Sequence, residues 1–205
     1  MFTPSQFESL YSLLSVDIVT EDCGIKCEQY CCKTPNTMKY LLPGEEEYFT
    51  LNPLPNFKIK EYYLFTGYEA KDQTNCLCTR QLRPFCCRIF PFRPAVSLNS
   101  FKVVDLKKAT SPEFDQYCWI INPLPEWHQA AIKAWQQVLN DRDNLRFYAR
   151  YALFLKIAKP AHGRSTTSLL YEVVEELDNM TLDQEWQMAI SFFDLIGQKE
   201  PLVGL

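Results

Sequence analysis

The sequence predicts an α+β protein in which a loop-rich lobe with short strands and clustered cysteines packs on a helical C-terminal part. The last of the nine cysteines is Cys118, and prolines punctuate the stretch before it, which excludes long helices there. Beyond about residue 123, apolar residues recur with the ~3.6-residue period of amphipathic helices. We therefore expect a cysteine-cluster lobe over residues 1–122 and a helical part over residues 123–205.

The chain opens with the signals of a helix start. Thr3 can cap the helix, Pro4 suits its first position, and Gln6 can complete a capping box. The apolar residues of one helical face follow: Phe7, Leu10, Tyr11 and Leu14. We expect this helix to end before Asp17.

Short strands are predicted in the proline-rich stretch that follows. Three segments are rich in aromatic, β-branched or aliphatic residues: 38–42, 58–65 and 101–106. Between the first two lies the acidic run Glu45-Glu46-Glu47, which predicts a solvated turn.

Four helices are predicted in the C-terminal part. The first runs from Pro125 to about residue 140, the second covers 144–158, the third starts at Ser165 or Thr166 and runs through 177, and the fourth follows Thr181. Thr181 and Gln184 form a capping box for the fourth helix. Three tryptophans fall in the apolar stripes and are predicted to be core residues: Trp127, Trp135 and Trp186.

The composition and charge of the chain argue against nucleic acids and membranes as binding partners. The net charge of −4 and the pI near 5.3 argue against nucleic-acid binding, which needs a basic surface. No stretch approaches the ~18–20 apolar residues of a membrane span, and the first residues lack the pattern of an export signal. We expect a cytoplasmic protein, in a compartment where structural disulfides are rare.

The cysteines form two groups and one isolated residue. The first group is Cys23, Cys27, Cys31 and Cys32, the second is Cys76, Cys78, Cys86 and Cys87, and Cys118 stands alone. An odd number of cysteines without an export signal argues against disulfides. A second alternative is that the cysteines are ordinary buried core residues, but core packing does not require them to cluster between Pro, Gly and Lys. Cys86 or Cys118 individually can still be an ordinary core residue. Metal coordination by thiolates from two separated stretches is the favoured interpretation, and the spacing does not select the metal.

The order of motifs supports this interpretation. The pair Cys31-Cys32 closes the first group, the segment Leu42-Pro43-Gly44-Glu45 follows, and Cys76 and Cys78 precede Arg83-Pro84-Phe85-Cys86-Cys87-Arg88-Ile89-Phe90-Pro91. This order over roughly residues 20–120 resembles the YkgJ-like cysteine-cluster family, described as a zinc- or iron-chelating domain. That family shows a leucine-to-glutamate segment and an R-P-x-x-C-R-x-F/Y-P signature, in which Cys87 takes the motif position. Cys118 matches the family's late cysteine, and Cys86 has no counterpart.

The resemblance implies eight metal-ligating cysteines: Cys23, Cys27, Cys31, Cys32, Cys76, Cys78, Cys87 and Cys118. They would hold zinc or iron, the latter also as an iron–sulfur cluster, in one site or two. The preferred minimum is one site formed by the first group and Cys87. Arg83 and Arg88 flank that cysteine. They either offset the thiolate charge, or are surface arginines, or form a salt bridge, for example with Glu45.

The leading hypothesis is a metal-binding protein with a structural, storage or delivery role. The alternatives are an iron–sulfur oxidoreductase or electron carrier, and a partner-binding adaptor with a structural metal. No catalytic residue is predicted, because His128 lies in a predicted helix, His162 lies in a loop, and no nucleophile or nucleotide-binding motif is present. Whether the protein is an enzyme stays open.

Overall fold

A computed structural model of the chain describes residues 1–20, 40–54, 57–61, 65–70, 82–97, 99–108, 118, 120, 122–158 and 166–195. These residues form seven helices and two antiparallel sheets of two strands each. The helices are α1 (Pro4–Leu13), α2 (Glu45–Leu51), α3 (Phe85–Ile89), α4 (Pro125–Asn140), α5 (Arg142–Ala158), α6 (Thr166–Asp178) and α7 (Leu182–Leu195). The strands are β1 (Phe57–Glu61), β2 (Thr66–Ala70), β3 (Phe92–Ser97) and β4 (Lys102–Lys108). The predicted α+β class with a helical C-terminal part is confirmed.

Helix α1 starts as its sequence predicts. The backbone N–H of Thr3 donates to Oε1 of Gln6 at 2.8 Å, and the N–H of Gln6 donates to Oγ1 of Thr3 at 3.4 Å. The helix ends at Leu13, and Phe7 and Leu10 on its inner face are fully buried. The capping box and the apolar face predicted for this helix are therefore confirmed.

The C-terminal helices surround a core of aromatic rings. Helix α5 packs against α4, α6 and α7. The Trp135 ring lies 5.1 Å from Phe193 of α7, 5.7 Å from Tyr148 of α5 and 5.0 Å from Phe85 of α3, as measured between ring centroids. All three predicted core tryptophans are buried. Buried residues from both parts of the chain join in one hydrophobic core.

The capping box of α7 forms as predicted. The N–H of Thr181 donates to Oε1 of Gln184 at 2.7 Å, and the N–H of Gln184 donates to Oγ1 of Thr181 at 3.3 Å. One turn into the helix, Glu185 is buried and accepts from Arg142 and Arg146 of α5. The cap therefore holds the turn that presents Glu185 to α5.

Thr181→Ala is expected to lower the free energy of unfolding by ~1 kcal/mol, because the Thr181 hydroxyl accepts from the N–H of Gln184, which has no partner within the helix. Urea unfolding followed by tryptophan fluorescence measures the change. Thr50→Ala is the control, because the Thr50 hydroxyl donates only to the Glu46 carbonyl within α2 at 2.8 Å. Equal losses in the two variants would contradict the assigned role of the cap.

The strands depart from the prediction in two places. The predicted strand 58–65 ends early, because β1 stops at Glu61 and a separate strand, β2, pairs back on it from Thr66. Strand β3 was not among the predicted strands, and its Pro94 pairs in register with Leu106 of β4. A two-stranded sheet leaves one edge of β3 outside the ladder, where a proline needs no N–H.

Of the other two predicted strands, one is found in the structure and the other is described only in part. Residues 101–106 overlap β4, as expected. Of residues 38–42, Tyr40 forms an isolated antiparallel bridge with Gly67, while 38 and 39 lie outside the described residues.

Candidate metal centre

The signature segment, residues 83–91, forms helix α3 inside the core. The Pro84 carbonyl accepts from the N–H of Cys87 at 2.9 Å and from that of Arg88 at 3.0 Å, which closes the first turn. Phe85 and Ile89 are buried, and the Phe85 ring meets Trp135 edge-on. The helix that carries Cys87 is thus fixed to the C-terminal helices.

Glu45 opens α2 and is completely buried. Its Oε2 accepts from the N–H of Leu42 at 2.7 Å, and its Oε1 accepts from the N–H of Phe85 at 2.7 Å. The Tyr11 hydroxyl of α1 donates to the same Oε1. One carboxyl group therefore links α1, α2 and α3. The prediction of a solvated turn is wrong here, because helical geometry points Glu45 inward while Glu47 faces solvent.

Gly44 makes the approach to Glu45 sterically possible. Its φ is +91°, in the left-handed region that side chains rarely adopt. A Cβ at this position would lie 2.3 Å from the carbonyl oxygen of Phe2. The segment that resembles the family's leucine-to-glutamate element thus needs glycine here for its backbone and glutamate for its contacts.

Burial raises the pKa of Glu45 to about 7. The hydrogen bonds from Tyr11, Phe85 and Leu42 and the positive charge of Arg88 act in the opposite direction. Burial likewise raises the pKa of the Tyr11 hydroxyl, and the neighbouring carboxyl raises it further. At neutral pH the Glu45 carboxyl is therefore protonated in part of the molecules, although it is buried in the core.

Arg88 joins the same network. Its Nε donates to the carbonyl of Arg83 at 2.6 Å, and Nη1 donates to the carbonyl of Tyr11 at 3.4 Å. Its guanidinium carbon lies 3.7 Å from the centroid of the Tyr11 ring, a cation–π contact. Arg83 and Arg88 are 3% and 5% exposed, so the interpretation of either as a surface arginine is wrong. Arg88 fixes α3 against α1 and offsets the charge of Glu45.

The adjacent cysteines of α3 have different environments. Cys86 is a buried free thiol whose pKa is raised, first by burial and then by its neighbour Cys87. Cys87 is only half-buried, and its sulfur contacts the Tyr68 hydroxyl of β2. Successive helical positions diverge by ~100°, so one thiol enters the core while the other points toward the sheet. Cys87, the residue in the motif position, is the more accessible of the two.

One described residue that flanks each of the first two cysteine-bearing segments lies in β2 or pairs with it. Residues 21–39, with the first cysteine group, end at Tyr40, whose bridge partner is Gly67 in β2. The N–H of Leu41 also donates to the carbonyl of Thr66 at 2.7 Å. Residues 71–81, with Cys76 and Cys78, begin where β2 ends. The strand whose Tyr68 contacts Cys87 therefore contains or pairs with one described residue next to each of these two stretches, Ala70 and Tyr40.

The other predicted ligands have different outcomes. Cys118 is half-buried and packs against the core, and its carbonyl accepts from Nζ of Lys108 at 3.3 Å. Six predicted ligands lie outside the described residues: Cys23, Cys27, Cys31, Cys32, Cys76 and Cys78. Among the described residues, no three His, Cys, Asp or Glu side chains are grouped to hold a metal. The eight-cysteine ligand set stays a prediction.

The donor chemistry at Cys87 suits zinc or iron. A half-buried thiol on a helix held by buried contacts can present a thiolate, and a hydroxyl lies at its sulfur to stabilise it. Sequence reasoning missed that hydroxyl, because Tyr68 lies in the unpredicted strand β2. His128 instead contacts Asp105, with 3.0 Å between Nε2 and Oδ1, and is partly exposed as expected, while His162 lies outside the described residues.

The chain matches no family model, no curated protein and no solved structure. The chain is an α+β protein in which the short helix α3 carries Cys86 and Cys87 and is held in the hydrophobic core by its buried residues. The resemblance to the YkgJ-like family stays a prediction from the order of motifs. None of the helices described is both long enough and apolar enough to cross a membrane.

Proposed function

We propose that the protein is a cytoplasmic metal-binding protein whose clustered cysteines hold zinc or iron in a structural, storage or delivery role. The observation that carries the proposal is the position of Cys87. Its sulfur contacts Tyr68 of β2, and one described residue next to each cysteine-bearing segment lies in that strand (Ala70) or pairs with it (Tyr40). Thiolates from separate stretches of chain are the ligands that zinc and iron–sulfur centres use.

The core network supports a preorganised ligand. Helix α3 is held by Glu45 at the N–H of Phe85, by Arg88 at α1, and by the Phe85 ring at α4. A ligand on a fixed element needs less ordering when the metal binds, which favours tight binding. A site closed by four protein sulfurs would be structural or used for storage, since catalytic sites keep an open position.

Anaerobic purification followed by elemental analysis and a visible spectrum tests the proposal. We expect at least one zinc or iron per chain. A colourless protein with stoichiometric zinc would assign a zinc site, whereas a brown protein with sulfur-to-iron charge-transfer bands would assign a cluster and favour the electron carrier. Anaerobic protein that takes up neither metal, even after incubation with zinc or ferrous iron, would refute the proposal.

Cys87→Ala and Cys86→Ala form a matched pair for the ligand assignment. We expect Cys87→Ala to lose at least half of the bound metal, because Cys87 lies at the proposed site. Cys86→Ala should retain the wild-type stoichiometry, because the Cys86 thiol is buried in the core and its raised pKa disfavours the thiolate. Metal content per folded chain is the measurement, and metal loss in Cys86→Ala alone would reverse the assignment.

A further inference from the structure

Cys86 and Cys87 are adjacent thiols within the described residues, and both are free. The Cys86 thiol hydrogen-bonds the Cys87 sulfur and the Tyr68 hydroxyl, and that hydroxyl also contacts the Cys87 sulfur. Tyr68 is held in place by its pairing with Ile59 and by its ring contact with Phe57, at 5.1 Å between the centroids. Two sulfurs and one hydroxyl therefore meet where α3 contacts β2.

The two thiols differ in access as the members of a redox pair do. Cys87 is half-buried, whereas Cys86 is 9% exposed. Redox-sensing cysteines are typically accessible to the oxidant and lie next to a second cysteine that resolves the first oxidation product. Transient disulfides of this kind are the ones that reducing compartments usually contain. Exposure and adjacency thus assign the reaction with the oxidant to Cys87 and its resolution to Cys86.

We propose that Cys86 and Cys87 form a redox-sensitive dithiol, which a hydroperoxide converts into a disulfide between the two residues. The Cys87 sulfur attacks the peroxide, an S–O bond forms and the O–O bond breaks. An alcohol, or water when the oxidant is hydrogen peroxide, leaves with the thiol proton, and Cys87 becomes a sulfenic acid. The Cys86 sulfur then attacks the Cys87 sulfur, the S–S bond forms, the S–O bond breaks, and water leaves with the proton of Cys86. The sulfur pair loses two electrons and the peroxide gains them.

The bridge acts on the core through α3. Side chains of consecutive helical residues diverge by ~100°, so Cys86 and Cys87 must leave helical geometry to join their sulfurs. The turn that opens is the one in which the Pro84 carbonyl accepts from the N–H groups of Cys87 and Arg88, at 2.9 and 3.0 Å. Oxidation therefore unwinds a helix that is anchored in the core. The inference goes beyond the proposed function and requires no metal.

Peptide mapping of the full chain tests the inference, because trypsin releases both cysteines in one peptide, residues 81–88, which contains no other cysteine. The chain is purified without oxygen, treated with hydrogen peroxide in the presence or absence of a metal chelator, unfolded, alkylated and digested. In the chelated sample we expect this peptide to lose two hydrogens and both alkylation sites, and a thiol reductant to restore them. The oxidised chain should also unfold at a lower urea concentration than the reduced chain.

Cys86→Ser and Cys87→Ser form the matched pair that tests the order of the two steps. After peroxide treatment, Cys86→Ser should hold a sulfenic acid on Cys87 that dimedone captures, because no resolving thiol is left. Cys87→Ser should keep Cys86 as a free thiol, because that thiol is buried. A dimedone adduct in Cys87→Ser alone would contradict the roles assigned to the two cysteines.

Three results for the wild-type peptide would overturn the inference. The peptide could stay fully reduced in both samples, it could be joined to another cysteine-containing peptide, or it could carry only a sulfinic acid, which a thiol reductant does not reverse. The metal content of the untreated protein tests the proposed function separately, so a failure of one proposal is distinguishable from a failure of the other.

Discussion

Glu45→Ala is expected to lower the free energy of unfolding by about 3–5 kcal/mol. The substitution leaves three buried donors without their acceptor: the Tyr11 hydroxyl and the N–H groups of Leu42 and Phe85. It also removes the carboxyl group that interacts with the buried guanidinium of Arg88. Relief of the desolvation of Glu45 offsets only part of this loss. Urea unfolding monitored by tryptophan fluorescence measures the change.

Glu47→Ala is the matched control for that substitution. Glu47 lies in the same helical turn, has the same side chain and is exposed. We expect its effect to stay within ~0.5 kcal/mol, as for most surface substitutions. Comparable losses from the two variants would show that the acidic run acts through the charge of α2 rather than through the buried contacts of Glu45.

Helix α3 connects the buried carboxyl of Glu45 to the proposed metal site. The N–H of Phe85 is held by Glu45, and Cys87 lies two residues further along α3. A loss of Glu45 therefore loosens the helix that carries the proposed ligand. This arrangement joins Glu45 to the helix that carries Cys87, although Glu45 and Phe85 are separated by 40 residues in the sequence.

Helix α1 and the four C-terminal helices could be predicted because their signals are local, whereas the short helices α2 and α3 were not predicted. The capping box of Thr3 and Gln6 and that of Thr181 and Gln184 each lie within four residues, and the apolar stripes follow directly. Helix α2 could not be predicted in this way. Its acidic first turn is typical of solvated surface, and Glu45 is buried only because donors from α1 and α3 reach it in the folded chain.

The candidate site was predicted only in part. The motif identified Cys87 as a ligand candidate, and the structure places its sulfur half-buried beside β2. No local pattern marks Tyr68, because its contact with Cys87 requires the pairing of β1 with β2 and the docking of α3. Arg88 was identified by its place in the motif, yet only the fold shows that it is buried against Tyr11.

The protonation of Glu45 is expected to make the stability depend on pH in a definite window. Its pKa is about 7 in the folded protein, against the ordinary value of 4.5 that holds in the unfolded chain. Between these two values the folded state binds a proton that the unfolded state has released. The free energy of unfolding therefore falls as the pH rises from about 4.5 to about 7, by on the order of 3 kcal/mol in total. Below about pH 4.5 and above about pH 7, Glu45 does not change the free energy of unfolding further as the pH changes.

Glu45→Gln isolates this contribution. The amide cannot titrate, so the variant should lack the part of the pH dependence that Glu45 causes, whatever its absolute stability. Urea unfolding at half-unit steps from pH 4 to pH 8.5 gives both curves. All other side chains are the same in both proteins, so groups that do not interact with Glu45 contribute equally to the two curves. A difference that stays constant across the window would mean that Glu45 keeps its charge in the core, sustained by Arg88 and by its three hydrogen-bond donors.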